Sequence, residues 1–211
     1  MISGSGTNLQ AIIDAIAAGG LAAEIRLVIS NRARAFGLQR AARAGLPTLV
    51  ADHRRFATRE DYDHHLVAAL TTAGVELVIL AGFMRLLSPV MLAAFPNRIM
   101  NIHPGLLPAF PGLHAQQAAV EYGARFAGCT VFFVTAGVDD GPIISQAVVP
   151  IHPDDSEAEV AARVLAQEHR IYPQAIALYQ QGRLEIRGRR VFIRNWSRNE
   201  AQPALINPPL D

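Results

Sequence analysis

Stretches in which nearly every position is apolar alternate along this chain with stretches in which apolar residues return every three or four positions, the pattern of buried strands followed by half-buried helices. Residues 24–30 and 46–50 read as strands around a helix over 35–44 that Gly45 stops. Thr58, with Asp61 three residues on, caps a helix running to about Ala73. Residues 75–81 form the clearest strand, near-continuously apolar as in a parallel sheet covered on both faces. Ser88 and Pro89 supply the N-cap and first residue of a short helix, and an apolar strand follows from Arg98. Residues 114–122 have helical spacing. Residues 130–134 and 143–149 are strands, and the helix-free loop between them predicts an antiparallel pair. Ser156 and Glu159 form a capping box opening a helix to about Tyr179, which Pro173 is expected to kink or break. Residues 184–186 and 191–193, around Gly188, suggest a terminal hairpin. The alternation predicts an α/β, doubly wound fold with a mostly parallel, mixed sheet. It runs as one domain over 1–196 with a loose tail over 197–211, and neither repeat nor linker interrupts it.

The first residues break the pattern. Ser3-Gly4-Ser5-Gly6-Thr7-Asn8 is a glycine-containing turn feeding an amphipathic helix, and Thr7 and Gln10 have the offset of a capping box, so the helix is expected to start near Asn8. Such a turn can cradle a phosphate, because bare N–H groups and the helix dipole face an anion there. It lacks the third glycine of a dinucleotide fingerprint and the lysine of a P-loop, so neither NAD nor ATP is expected. A phosphate turn normally follows a buried strand, yet only Met1, Ile2 and Ser3 precede this one, and the first strand reads as truncated.

Composition removes several kinds of chemistry. The 211 residues carry 19 basic and 18 acidic side chains, a formal charge of +1, and every basic residue among the Lys and Arg is arginine. That excludes a catalytic lysine, and near-neutrality argues against a nucleic-acid partner. The arginines over 187–198 read as solvated charges. Cys129 is alone, so a disulfide framework and a cysteine zinc site are both ruled out. His64 and His65 are adjacent on a helix, about 100° apart, which does not make a metal site. No apolar run approaches the ~18 residues a membrane helix needs, and no basic stretch precedes an apolar one at the N-terminus. A cytoplasmic, metal-free protein is the expectation.

What remains is the strand from Arg98 and its end. Asn101 and His103 are two residues apart, so on a strand they point to one face, and Pro104 places them where the strand stops. In open α/β sheets that end is where ligands bind. A histidine there is either a hydrogen-bonded structural residue or a proton-transfer group, and the strand alone does not choose.

Asn101-Ile102-His103-Pro104 followed by Leu106-Leu107-Pro108, together with Val138-Asp139 before Gly141-Pro142, resembles the folate-dependent formyltransferases. The opening Ser3–Gln10 stretch narrows the resemblance to the branch that formylates glycinamide ribonucleotide. Further matching stretches are Ser30-Asn31, Ala35-Phe36-Gly37-Leu38, Leu80 to Arg85, Pro111 to His114 and Gln167-Glu168-His169. The resemblance implies a Rossmann-like formyltransferase fold and transfer of a formyl group from 10-formyltetrahydrofolate to the amine of glycinamide ribonucleotide, a step of purine synthesis. It implies a catalytic trio of Asn101, His103 and Asp139, and acceptor binding by Gly6, Thr7, Asn8 and Glu168. The folate would lie against Arg59, Met84, Arg85, Leu86, Leu87 and Asn101, and along Thr135, Ala136, Gly137, Val138 and Asp139. The half up to about residue 97 would hold the ribonucleotide and the half from 98 to 196 the catalytic and folate side, in a monomer or homodimer. The chain departs from the family's usual residues at Gly105, Gln116, Gln117, Phe132, Ala136 and Asp140. The competing readings are a formyltetrahydrofolate hydrolase, which shares the trio, and a non-catalytic nucleotide-binding protein of the same fold.

Overall fold

The computed structural model describes residues 1–196 together with Leu205 and Asn207. Its elements are α1 (Thr7–Ala17), β1 (Val28–Ser30), α2 (Phe36–Arg43), β2 (Thr48–Val50), a 3-10 turn (His53–Arg55), α3 (Arg59–Thr72), β3 (Val78–Leu80), α4 (Pro89–Ala94), β4 (Ile99–His103), α5 (Ala115–Tyr122), β5 (Phe126–Phe133), β6 (Ile143–Pro150), α6 (Glu157–Gln180), β7 (Leu184–Arg187) and β8 (Arg190–Ile193). β3, β4, β5, β6, β8 and β7 form one sheet in that spatial order, and β1 pairs with β2 beside it. β3 and β4 run parallel, β5 runs antiparallel to both β4 and β6, and the terminal hairpin β7–β8 joins through Ile143 and Arg190. The sheet is therefore mixed, and the expected antiparallel pair and hairpin are both present. One apolar cluster gathers Leu9 and Ile12 of α1 with Val160, Val164 and Tyr172 of α6. A second, with Tyr62 and Leu66 of α3 and Met91 of α4, holds Val78, Leu80 and Ile99.

Residues 1–3 join the two sheets. Ile2 bridges in parallel to Ser30 and its N–H donates to the Ile29 carbonyl, while the Ala81 N–H donates to the Met1 carbonyl and the Ser3 N–H to Gly82. They form a short bridged segment between β1 and β3. The shortness of this segment also explains why the strands expected over 24–30 and 75–81 shrink to three residues each. Upstream of Val28 and Val78 both chains face each other across a cavity of about 740 Å³ lined by Leu9, Ile12, Ile25, Leu27, Leu77 and Ile176. With no middle partner, the backbone there has no ladder to join.

Two further expectations are corrected. The Thr7–Gln10 capping box does not form: Thr7 is already helical, and the N-cap is Gly6 at φ 69°, with no side-chain cap. A Cβ on Gly6 would lie 2.6 Å from Gly37 Cα, so the close turn takes a glycine, and a left-handed glycine offers α1 no side-chain cap. Gln10 instead donates to Asp14. Pro173 does not break α6, which runs unbroken for 24 residues. Ile171, Tyr172, Ala175 and Ile176 around it are buried, so packing holds the turn that loses one backbone bond. The cap at Thr58 and the capping box at Ser156 form as expected. The expected tail over 197–211, including Arg198 and its prolines, lies outside the described residues apart from Leu205 and Asn207; Asn207 Nδ2 donates to the carbonyls of Arg125 and Ile151. Among the described residues no helix is long and apolar enough to cross a membrane.

Candidate active site

β4 is buried at four of its five positions, and Asn101, the half-buried exception, opens toward the strand's end. Antiparallel pairing sets His103 opposite Thr130 of β5. Its ring is held at both nitrogens. Nδ1 lies 3.2 Å from Asp139 Oδ2, and Nε2 lies 2.8 Å from the carbonyl oxygen of Phe110. Both neighbours are acceptors, so whichever ring nitrogen carries a proton has a partner. Asp139 sits in the left-handed region at φ 50°, which turns its carboxylate back toward β4, and the same Oδ2 accepts the Gly112 N–H at 2.9 Å. His103 and Asp139 are thus brought together and largely buried. Asn101 makes no side-chain hydrogen bond among the described residues, which leaves its amide free to donate.

Gly105 is packed against this ring. A Cβ there would lie 2.8 Å from His103 Nε2 and 3.3 Å from the Ala115 Cβ, so its lack of a side chain matches the present ring position. The loop that follows is anchored from β5 and β6. Thr130 Oγ1 donates to the Gly105 carbonyl at 2.7 Å and accepts from the Leu107 N–H, and Gln146 Nε2 donates to the Leu107 carbonyl at 2.9 Å.

The phosphate turn lies on the other side of Pro104. A pocket of about 430 Å³ is lined by residues 3–8 together with Arg32, Met84, Pro104, Gln116 and Glu168. Gly6, Thr7, Asn8 and Glu168 therefore share one cavity. Asn8 Nδ2 donates to Glu168 Oε2 at 2.7 Å, while Asn8 Oδ1 is buried without a partner. Burial pushes the Glu168 carboxyl above its ordinary range, and the Asn8 bond opposes that shift.

In the segment that the resemblance assigns to the folate, the Met84 N–H donates to Ser3 Oγ, and Met84 and Leu86 expose most of their side chains, while Leu87 is half-buried. The Arg85 guanidinium stacks 5.7 Å from the Tyr62 ring, and its Nε is buried without a partner. Asp63 Oδ2 accepts the Ser88 N–H at 2.5 Å and pins the end of this segment to α3. Residues 135–138 form an exposed loop, closed by a Thr135 hydroxyl bond to Asp140 and by Arg189 donating to the Asp140 carbonyl. Arg59 opens α3 and pairs with Glu60 at 3.7 Å; no hydrogen bond or ion pair joins it to the other candidates among the described residues.

Sequence reasoning missed Ser3, Asn31, Asp63 and Thr130 as supports. Ser3 Oγ donates to Asn31 Oδ1 at 2.6 Å, and both residues are buried. The signal for Asp63 was available: an acidic residue beside Tyr62 and three positions before Leu66 falls among buried positions of α3.

The family model described as formyl transferase matches residues 1–176. The chain is 46% identical over 186 residues to the phosphoribosylglycinamide formyltransferase of Escherichia coli, covering 88% of each. It is 52% identical over 186 residues to the trifunctional purine biosynthetic protein adenosine-3 of Drosophila pseudoobscura pseudoobscura, spanning 87% of this chain and 14% of that much longer one. The structure superposes on glycinamide ribonucleotide transformylase 1 from Symbiobacterium toebii with a TM-score of 0.90 and 57% identity over 91% of both chains. A match over this much of the sequence, on this fold, means that the chain belongs to the formyl transferase family.

Proposed function

We propose that the protein transfers the formyl group of 10-formyltetrahydrofolate to the primary amine of glycinamide ribonucleotide. The reading rests most on one observation: the His103–Asp139 pair at the end of β4 and the pocket of the phosphate turn meet at Pro104. A site for proton transfer thereby adjoins a site for an anionic ribonucleotide. The names of the relatives with which the chain shares nearly half its residues support the same choice of substrates.

The chemistry follows from the groups. The amine lone pair attacks the formyl carbon, and the carbonyl electrons move to the oxygen. Asn101, its amide free, donates to that oxyanion, an interaction whose loss typically costs ~2.7–4 kcal/mol. As the intermediate collapses, the bond from carbon to folate N10 breaks and His103 supplies the proton that N10 needs, Nε2 exchanging the Phe110 carbonyl for the folate nitrogen. The amine's surplus proton returns to the imidazole, so the products are the formamide and tetrahydrofolate with the enzyme unchanged. Asp139 holds the ring through Nδ1. Gly6, Thr7 and Asn8 receive the phosphate and Glu168 the ribose. Arg59, Met84, Arg85, Leu86 and Leu87 with Thr135, Ala136, Gly137, Val138 and Asp139 flank the folate. Residues 1–196 work as one domain, in the cytoplasm and without a metal.

The purified chain is tested by following absorbance with 10-formyltetrahydrofolate, with and without glycinamide ribonucleotide. Turnover is expected only when the amine is present, and His103→Asn is expected to lower kcat by ~10²–10⁴-fold while ribonucleotide binding persists. Equal turnover without the amine would make the protein a hydrolase, and binding of both ligands without turnover would make it a binding protein; either overturns the reading.

A further inference from the structure

The start of α1 is an open anion site. Its first turn carries neither a side-chain cap nor an acidic residue, so its leading N–H groups face the pocket free. Asn8 adds an independent sign of a ligand: it is only 8% exposed, lines the pocket, and its Oδ1 has no partner. A phosphate monoester seated there also needs a counter-charge, because Glu168 lies in the same cavity.

Among the residues lining that cavity only one is cationic, Arg32. The neighbouring Arg40 is already committed, with Nε donating to the Ser5 carbonyl at 2.9 Å and Nη1 to Gln10 at 3.3 Å. Arg32 forms no ion pair among the described residues and its side chain is exposed. Its backbone, by contrast, is fixed. The Arg32 N–H donates to Ser30 Oγ at 3.1 Å, and that hydroxyl donates back to the Arg32 carbonyl at 2.9 Å. The preceding residue, Asn31, accepts from Ser3 Oγ at 2.6 Å, so the root of the arginine is tied to the first residue of the turn. A long side chain on a fixed root, ending in a planar fork, suits two oxygens of a phosphate.

We propose that Arg32 is a specificity residue for the acceptor's phosphate, closing over a monoester seated on Gly6, Thr7 and Asn8. The identity of the acceptor rests on the function proposed above; the chemistry required is only a phosphate monoester on a ribose.

The test compares the unmodified protein with Arg32→Gln and Arg32→Lys. Binding is measured by titration calorimetry with ribose 5-phosphate, ribose and inorganic phosphate, and KM and kcat with glycinamide ribonucleotide. Arg32→Gln is expected to weaken ribose 5-phosphate and raise the ribonucleotide KM by about ten- to a hundredfold, the range for a hydrogen bond to a charged group. The kcat and the folate KM should stay unchanged, as for an interaction made equally before and during reaction. Arg32→Lys should recover most of the loss, and ribose should not distinguish the three proteins. An unchanged ribonucleotide KM and unchanged ribose 5-phosphate affinity in Arg32→Gln would overturn the proposal, and so would an equal loss for ribose. Inorganic phosphate held equally by all three, with ribose 5-phosphate also unaffected, would leave the helix start as the whole site and overturn it too. If the unmodified protein bound ribose 5-phosphate through Arg32 yet transferred no formyl group, the phosphate site would stand and the proposed function would fall.

Discussion

At the scale of single residues, the site depends on acceptors aimed at one ring. Asp139 Oδ2 takes two donors, His103 Nδ1 and the Gly112 N–H, so it fixes the imidazole and the loop carrying Phe110 together. Asp139→Asn keeps the shape and removes the charge. It is expected to lower kcat by about 10²-fold, the lower end of what positioned acid–base groups contribute, with little change in melting temperature. Steady-state kinetics beside a thermal melt would check this, and a kcat within twofold of the parent would assign Asp139 to the turn alone. His103 was legible in sequence because strand alternation and Pro104 place it. Asp139 was not: its link to His103 spans a strand, a helix and a loop, and only resemblance paired them before the structure did. Gly105 shows the opposite case. It stood out as a departure, and its physical meaning, the closeness of a Cβ to Nε2, needed coordinates.

At the scale of elements, the short bridged segment of residues 1–3 governs what surrounds it. Val28 N–H donates to Pro47 and Ala51 N–H to the Ser30 carbonyl, so Val28 and Ser30 face β2, while the Ile29 carbonyl takes the Ile2 N–H and, one alternation earlier, Leu27 lines the cavity. Ile79 is turned the same way from β3, its carbonyl accepting the Met1 ammonium at 2.6 Å. Residues 24–27 and 75–77 carry strand-like sequence but join no strand: 24–27 are irregular, the Val75 N–H closes the end of α3 on Leu70, and Glu76 and Leu77 bend. This is why helix and strand identity was legible along most of the chain while these strand lengths were not: length depends on a neighbour. Burial pushes the Met1 amine down to about 5. Its ordinary value is roughly 8, so the unfolded chain takes up a proton the folded chain refuses as pH falls from 8 to 5. The associated stability is complete above pH 8 and lost progressively toward pH 5, up to about 4 kcal/mol over three units. Adding four apolar, β-branched residues ahead of Met1 should fill the cavity and remove this slope. Four buried side chains contribute roughly 6–12 kcal/mol and ordering the backbone costs roughly 4–8, which at the midpoints is a net gain of about 3 kcal/mol. Urea unfolding at pH 8.5 and 5.5 tests both parts; an extended chain no more stable than the parent, with the same pH slope, would mean the cavity does not accept a strand.

At the scale of the molecule, the pocket of the Ser3–Asn8 turn and the segment proposed to flank the folate are separate stretches that one hydroxyl joins. Ser3 Oγ donates to Asn31 Oδ1 at 2.6 Å and accepts from the Met84 N–H at 2.9 Å, linking the phosphate turn, the end of β1 and the segment proposed to flank the folate. Sequence could show the Ser3-Gly4 turn, the Ser30-Asn31 pair and the Met84 segment one by one. It could not show that they converge, because the tie crosses three strands and the Ser3–Gln10 motif says nothing of where the serine hydroxyl points. The tie has a consequence for a reaction in which two ligands must meet. Ser3→Ala leaves the buried Asn31 Oδ1 and the part-buried Met84 N–H without their partner, a cost of about 1–3 kcal/mol in stability. The two walls then lose a common reference, so the KM for the ribonucleotide and the KM for the folate are both expected to rise, although Ser3 is proposed to touch neither the formyl group nor the attacking amine. Measuring each KM at saturating concentration of the other substrate separates this from a local defect. A rise in the ribonucleotide KM alone would show that Ser3 serves only its own turn, and that the folate wall keeps its place through Asp63 and Ser88.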